Sequence, residues 1–313
     1  MMVDWTSSPS PTAAADLEHK GNFKRRRGID WSGYAYILPL YALLGAFIFW
    51  GIGYNFYISF FKWDGIGDKK FIGLRNYTDM VQDPLVHDAL QHTLQFLLVS
   101  IPGSMLIGFV MAILLHSVKR LVSVAKALFF LPYVMAVVVI GITFQMIYEP
   151  NFGLLNETLR AIGLDALTRQ WIGSKETALN SLAAVYIYGH VGFYMLLYYT
   201  SILNIDGEVF EAARIDGAGL FRQSTRIIFP MLKGTHMTLM ILGVIAALKV
   251  FELVWVMTVG GPGGATELIS TLVFKKALLE FNQGYSAAIS VLMVLIAFVY
   301  TAFQVKSYNK ARR

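Results

Sequence analysis

The sequence predicts an all-α membrane protein with six transmembrane helices and both termini in the cytoplasm. Three observations predict it. The chain of 313 residues is 56% hydrophobic and 15% charged, whereas a soluble domain carries about a quarter charged residues. Its apolar residues gather into six runs, each near the roughly 20 residues that a helix needs to cross the hydrocarbon core. Lys and Arg are shared unequally between alternate loops, which orients the chain.

Residues 1–33 are polar, with a Ser-Pro-Ser-Pro run, an alanine run and then Lys24-Arg25-Arg26-Arg27. This composition predicts a mobile cytoplasmic tail that ends in a basic anchor at the membrane face. It lacks an apolar core of signal-peptide length, so no cleavable signal is expected. The spans are expected at about 35–60, 93–115, 125–147, 178–203, 235–259 and 286–306. Leu131-Pro132 in the third span predicts a kink, tolerable where neighbouring helices satisfy the freed carbonyl. With the N-terminus inside, sixteen Lys and Arg fall on the cytoplasmic side and nine outside, with Lys249 in a span. The basic charge of +6 is thus a topogenic signal, and no nucleic-acid partner is expected. The expected parts are a cytoplasmic tail (1–33), the first span with an extracytoplasmic loop (34–92), a core (93–306) with a cytoplasmic loop at 204–234, and a second tail (307–313). Residues 271–281 are expected to form a short surface helix ahead of the last span.

The loop holds the most informative stretch, EAARIDGAGLFRQSTRIIFP at Glu211–Pro230. Glu211, Arg214, Asp216, Arg222 and Arg226 keep it out of the bilayer, because each charge costs roughly 2.5–3.5 kcal/mol at the bilayer centre on insertion scales. Gly217 predicts a turn between two short helices, and Pro230 a stop to the second. Glu211, Ala212, Ala213, Gly217, Ile227 and Pro230 fall in the register of the EAA loop of ABC importer permeases, with Phe229 where that family usually has leucine. The Asp216-Gly217-Ala218 run resembles its sugar-importer branch. So do Phe71-Ile72-Gly73-Leu74-Arg75-Asn76-Tyr77 after the first span and Thr258-Val259-Gly260-Gly261-Pro262 after the fifth.

The resemblance, to maltose-type, binding-protein-dependent carbohydrate importers, runs from about residue 35 to 306. It implies a type I, MetI-like permease fold in the plasma (inner) membrane of a bacterium. It also implies a second permease subunit, giving a heterodimer, two ATPase subunits carrying ATP and Mg, and an extracytoplasmic solute-binding protein. In that family the loop is a helix-turn-helix docked on the ATPase. Glu211, Ala212, Ala213, Asp216, Gly217, Ala218 and Pro230 are then the coupling residues. Sugar-contacting positions of the family fall on Tyr133 in the third span and on Tyr186, His190 and Phe193 in the fourth.

The residues themselves carry no catalytic constellation. No Gly-rich Lys-Ser/Thr phosphate loop is present, and the six histidines show no metal-ligand spacing. The chain is therefore expected to bind no cofactor or metal and to catalyse nothing itself. Tyr186, His190 and Phe193 share one helix face by spacing, and aromatic faces with polar edges suit sugars. The alternative is ordinary packing. Lys249 and Glu252 are the intramembrane charges, three apart on an expected helix, where they could pair. They either face the transport pathway or pack on a partner. A mutually paired couple would make a poor proton relay, which weighs against the alternative of an ion-gradient carrier. Glycerol phosphates and other polar solutes remain alternatives to sugar.

Overall fold

The computed structural model describes residues 31–118 and 121–311. The Lys24–Arg27 cluster, Lys119, Arg120, Arg312 and Arg313 lie outside the described residues. The chain forms two compact units, one ending at Ile52 and one starting at Gly53.

The first unit holds α1 (Trp31–Leu44), a π turn at Gly45–Phe49 and the start of α2 (Trp50–Ile58). Tyr36–Ile58 is one apolar run of 23 residues with none of its window buried. A helix apolar on every side suits hydrocarbon or a covering helix.

The second unit opens with a short antiparallel hairpin, β1 (Phe61–Lys62) and β2 (Lys70–Phe71). Lys69 ties the hairpin back to the end of α2. Its Nζ donates to Tyr54 Oη at 2.7 Å and lies 4.6 Å from both the Tyr54 and Trp63 rings. The short α3 (Arg75–Gln82) follows, then the 34-residue α4 (Pro84–Ser117). The second span thus begins nine residues before its expected start. Asp83 caps it by accepting from Leu85 N, and Pro84 fills the first helical position, where its missing N–H costs nothing.

The third span is a bent pair, α5 (Val122–Val134) and α6 (Val137–Ile147), at 94° to each other. The kink expected at Pro132 falls instead at Met135 and Ala136, whose backbones are extended. The proline removes one N–H, but Met135 N still reaches Leu131 O and Pro132 O. Beyond Ile147, Glu149 folds its carboxylate over Asn151 N and Phe152 N, each at 2.7 Å. The Phe152 N–H above all holds that carboxyl below its usual range. The loop that follows contains α7 (Leu154–Ala161). Asn156 is buried there, donating to Pro150 O and Arg169 O and accepting from Trp171 Nε1.

The central span is α8 (Ala178–Leu203), with 56% of its window buried. It packs on α4 and α5. A Cβ on Gly192 would collide with Phe129 O and come within 2.9 Å of Phe130 Cα, so only glycine lets α5 approach this closely.

The cytoplasmic loop is α9 (Gly207–Ile215) and α10 (Leu220–Met231). The latter contains a π turn at Ser224–Ile228. Pro230 does not end it at once. The helix breaks at Leu232, and α11 (Lys233–Leu248) leaves at 71°. The fifth span is not the continuous helix expected over 235–259. It stops at Leu248 and resumes as α12 (Glu252–Met257).

A helical piece, α13 (Ile269–Phe274), continues through a π turn at Lys275–Leu279. It was expected as a surface helix, but Ile269, Thr271 and Leu272 are buried. Ile269 and Leu272 join Val86, Ala89, Tyr285 and Ile289 in an apolar cap, and Thr93 Oγ1 accepts from Ile269 N at 3.0 Å. The last span is α14 (Gln283–Ala311). Among the described residues, four helices are long and apolar enough to cross a membrane, or up to six if each bent pair, α5 with α6 and α10 with α11, counts as one span.

The α5–α8 contact gives a test. Gly192→Ala should destabilise the detergent-purified protein by roughly 1–3 kcal/mol through overpacking, read as a lower melting temperature. Gly51→Ala, whose Cβ meets nothing within 4 Å, should leave the melting temperature unchanged.

Candidate functional site

The bend in the third span turns Tyr133 toward α8, where three of the residues singled out from sequence wait for it. The Tyr133 ring stacks on Phe193 at 4.9 Å and meets His190 edge-on at 5.7 Å. Tyr186 and His190 stack at 3.8 Å. His190 Nδ1 lies 2.9 Å from Tyr186 O. A carbonyl only accepts, so Nδ1 carries the hydrogen and Nε2 is left as an acceptor. Tyr186 Oη is buried without a hydrogen-bond partner. A cavity of about 60 Å³ sits among Pro132, Tyr133, Tyr186, Gly189, His190 and Leu253. The rings of Tyr133 and Tyr186 and the His190 imidazole line it, groups of the kind that stack on and hydrogen-bond to polar solutes.

Leu253 brings the broken fifth span to the same cavity. Lys249 caps α11 and Glu252 begins α12, so the two charges sit on different helices rather than one face. Both are exposed, and no ion pair joins them among the described residues. The pairing expected from their spacing is therefore corrected, because the helix ends between them. Unwound backbone at membrane depth is tolerated only where protein or a water-filled cavity satisfies it. Protein satisfies part of this break: Ser270 Oγ donates to Val250 O. Gln145 of α6 reaches across with Nε2 to Val256 O at 2.8 Å and Met257 O at 3.1 Å. Neither residue was singled out from sequence. A primary amide inside the apolar run of α6 was the available signal, since such groups bond between helices.

On the cytoplasmic loop, Asp206 caps α9 through Glu208 N. The helix ends in a Schellman turn: Ala218 N donates to Ala213 O at 2.9 Å, and Gly217 N to Arg214 O at 3.0 Å. Gly217 takes φ +69, the left-handed conformation that glycine adopts without strain. Of the coupling candidates, Glu211, Ala212, Asp216, Gly217 and Pro230 are exposed, Ala213 is buried and Ala218 half-buried. Around them Ile215 is 86% and Phe221 83% exposed. Neither was singled out from sequence, since an apolar residue in a short helix carries no sign of which way it faces. Phe210 holds α9 against α4 by packing on His116 at 5.2 Å.

At the other end, Thr258, Thr266 and Gly261 tie the glycine-rich turn together. Thr258 Oγ1 and Thr266 Oγ1 are 2.7 Å apart, and Thr266 Oγ1 donates to Gly261 O at 2.7 Å. Glu267 pairs there with Lys275.

Residues 104–313 match the family model described as binding-protein-dependent transport system inner membrane component. The chain belongs to that family. It is thus a multi-pass inner-membrane permease subunit of a binding-protein-dependent ABC importer, and not itself the ATPase. It is 34% identical to the probable ABC transporter permease protein YurN of Bacillus subtilis, over 89% of this chain and 96% of that one. It is 32% identical to the diacetylchitobiose uptake system permease protein NgcF of Streptomyces coelicolor, over 95% and 88% of the two chains. The fold matches a chain in the crystal structure of a bacterial alginate ABC transporter in complex with an alginate pentasaccharide-bound periplasmic protein. The TM-score is 0.75 at 21% identity, covering 88% of this permease and 93% of that chain.

The cross-helix amide of this permease is directly testable. Gln145→Leu keeps the bulk but strips a donor from two carbonyls, and should cost roughly 1–3 kcal/mol. Thermal unfolding in detergent reads the loss, and an unchanged melting temperature would mean that Gln145 does not hold α12.

Proposed function

We propose that this permease imports a sugar or oligosaccharide by alternating access, driven by two ATPase subunits that grip loop 204–234. The observation that carries the coupling half is the pairing of Ile215 and Phe221, almost fully exposed, with the exposed charges of Glu211 and Asp216. Apolar side chains on a charged loop outside the bilayer mark a protein contact. A buried aromatic anchor with a polar rim is the ordinary anatomy of such a contact. Glu211 would pair with a cation on the ATPase, and the tight turn at Gly217 would let both helices enter one groove. ATP and Mg would sit on that partner.

The substrate half is supported by the cavity lined by Tyr133, Tyr186 and His190, with Phe193 stacked behind Tyr133. The sugar uptake named for NgcF and the alginate importer points the same way. Lys249 and Glu252, exposed beside the broken span, would contribute polar contacts along the route. A second permease would complete the pathway. A solute-binding protein would deliver to the extracytoplasmic face, as the complex with a periplasmic protein supports.

Copurification of the tagged permease with its co-expressed partners tests this. The unaltered chain should retain the ATPase subunits, and Glu211→Lys should lose them or abolish uptake. Combined Ile215→Ser and Phe221→Ser substitution should weaken retention at least as much. A stable lone chain that transports on a proton or sodium gradient would overturn the reading.

A further inference from the structure

Pro230 has no N–H to give, and α10 ends one residue beyond it. Leu232 departs from helical dihedrals, with φ −86 and ψ 17, and α11 turns away by 71°. At such an elbow the last carbonyls of the outgoing helix lose their helical donors. Phe229 O is one of them. His236, one turn into α11, lies with Nε2 2.9 Å from it. The carbonyl can only accept, so Nε2 carries the hydrogen. Nδ1 is then an acceptor, and Tyr198 Oη, 2.8 Å away, donates to it.

The imidazole therefore joins three elements: the end of the cytoplasmic loop, the start of α11 and the inner half of α8. Packing reinforces the join. The His236 ring lies 4.3 Å from Phe229. Phe109 of α4 meets Tyr198 and Phe229 edge-on at 5.4 and 5.5 Å. Tyr198 is 1% exposed, so the anchor on α8 is fixed. An imidazole within a membrane core is expensive unless both nitrogens are partnered, and here they are. A leucine would fill the space, but it would leave Phe229 O unsatisfied and α8 unconnected.

We infer that His236 is a positioning residue for transport: it locks the elbow at Leu232, so that loop and inner spans move as one rigid body. A free elbow would flex when the loop is displaced and absorb the movement. The inference rests on loop 204–234 being the ATPase contact.

The chain has no cysteine, so Thr225→Cys and Leu242→Cys place nitroxide labels on either side of the elbow without background. Both positions are exposed. Distances are measured by pulsed electron spin resonance in the assembled importer in nanodiscs, before and after trapping with Mg-ATP and vanadate. The expected result is one narrow distribution, the same in both states. His236→Phe keeps a ring and removes both bonds. It should raise a second elbow angle by about fivefold for each of the two hydrogen bonds lost. His236→Gln, which restores a donor for Phe229 O, should narrow the distribution again. A broad distribution in the parent, a narrow one in His236→Phe, or no recovery with His236→Gln would overturn the inference. If the His236→Phe complex does not assemble, Tyr198→Phe removes one hydroxyl and carries the same measurement. Glu211→Lys separates the two readings. Retention of the ATPase subunits together with normal uptake by that variant removes the coupling assignment, whereas loss of either alongside a narrow elbow in His236→Phe removes only the role of His236.

Discussion

Inside a bilayer every backbone N–H and C=O must find its partner within the protein, and this permease breaks its helices at three places at or near membrane depth. Two of these breaks are answered by a side chain. Ser270 takes the carbonyl of Val250, and His236 takes that of Phe229. Gln145, from the far arm of the bent third span, holds the carbonyls that end α12. A continuous six-helix bundle would need none of these. They give the irregular backbone at these positions partners within the protein.

Function follows from where the breaks fall. The bend at Met135 and Ala136 aims Tyr133 at the face of α8 that carries Tyr186, His190 and Phe193. The break after Leu248 brings Leu253 to the same cavity and leaves Lys249 and Glu252 uncovered. The elbow at Leu232 joins the cytoplasmic loop to the inner half of the bundle. The proposed solute route and the proposed lever are thus two ends of one structure, connected through α8 and α11. No bond-making chemistry is asked of any residue. In the proposed reading the work is geometric, and the energy would enter through a partner of the importer.

Much of this was legible in the sequence. Apolar run length sets the number of spans, because hydrocarbon thickness is fixed. The charged loop and its Gly217 turn were readable because one glycine conformation and a few charges leave little choice. The four aromatic residues were brought together by a register that spacing and family resemblance both carry. Other features were hidden. The start of α4 depends on the Asp83 cap rather than on hydropathy. The ends of the fifth-span helices depend on Gln145 and Ser270, distant in sequence. Lys249 and Glu252 looked like a pair because three residues of unbroken helix would have paired them. The buried face of α13 could not be seen, since its partners come from α4 and α14.

The central claim is that the broken fifth span borders a water-filled route rather than lipid or a dry contact. A Lys249→Cys variant of the cysteine-free permease, assembled with its partners in vesicles, tests it most directly through its rate of reaction with a membrane-impermeant cationic thiol reagent. The account predicts a rate close to that of Ile66→Cys in the extracytoplasmic loop, and far above that of Leu295→Cys on the last span. A residue 249 as unreactive as residue 295, in both vesicle orientations and with or without trapped nucleotide, would contradict it.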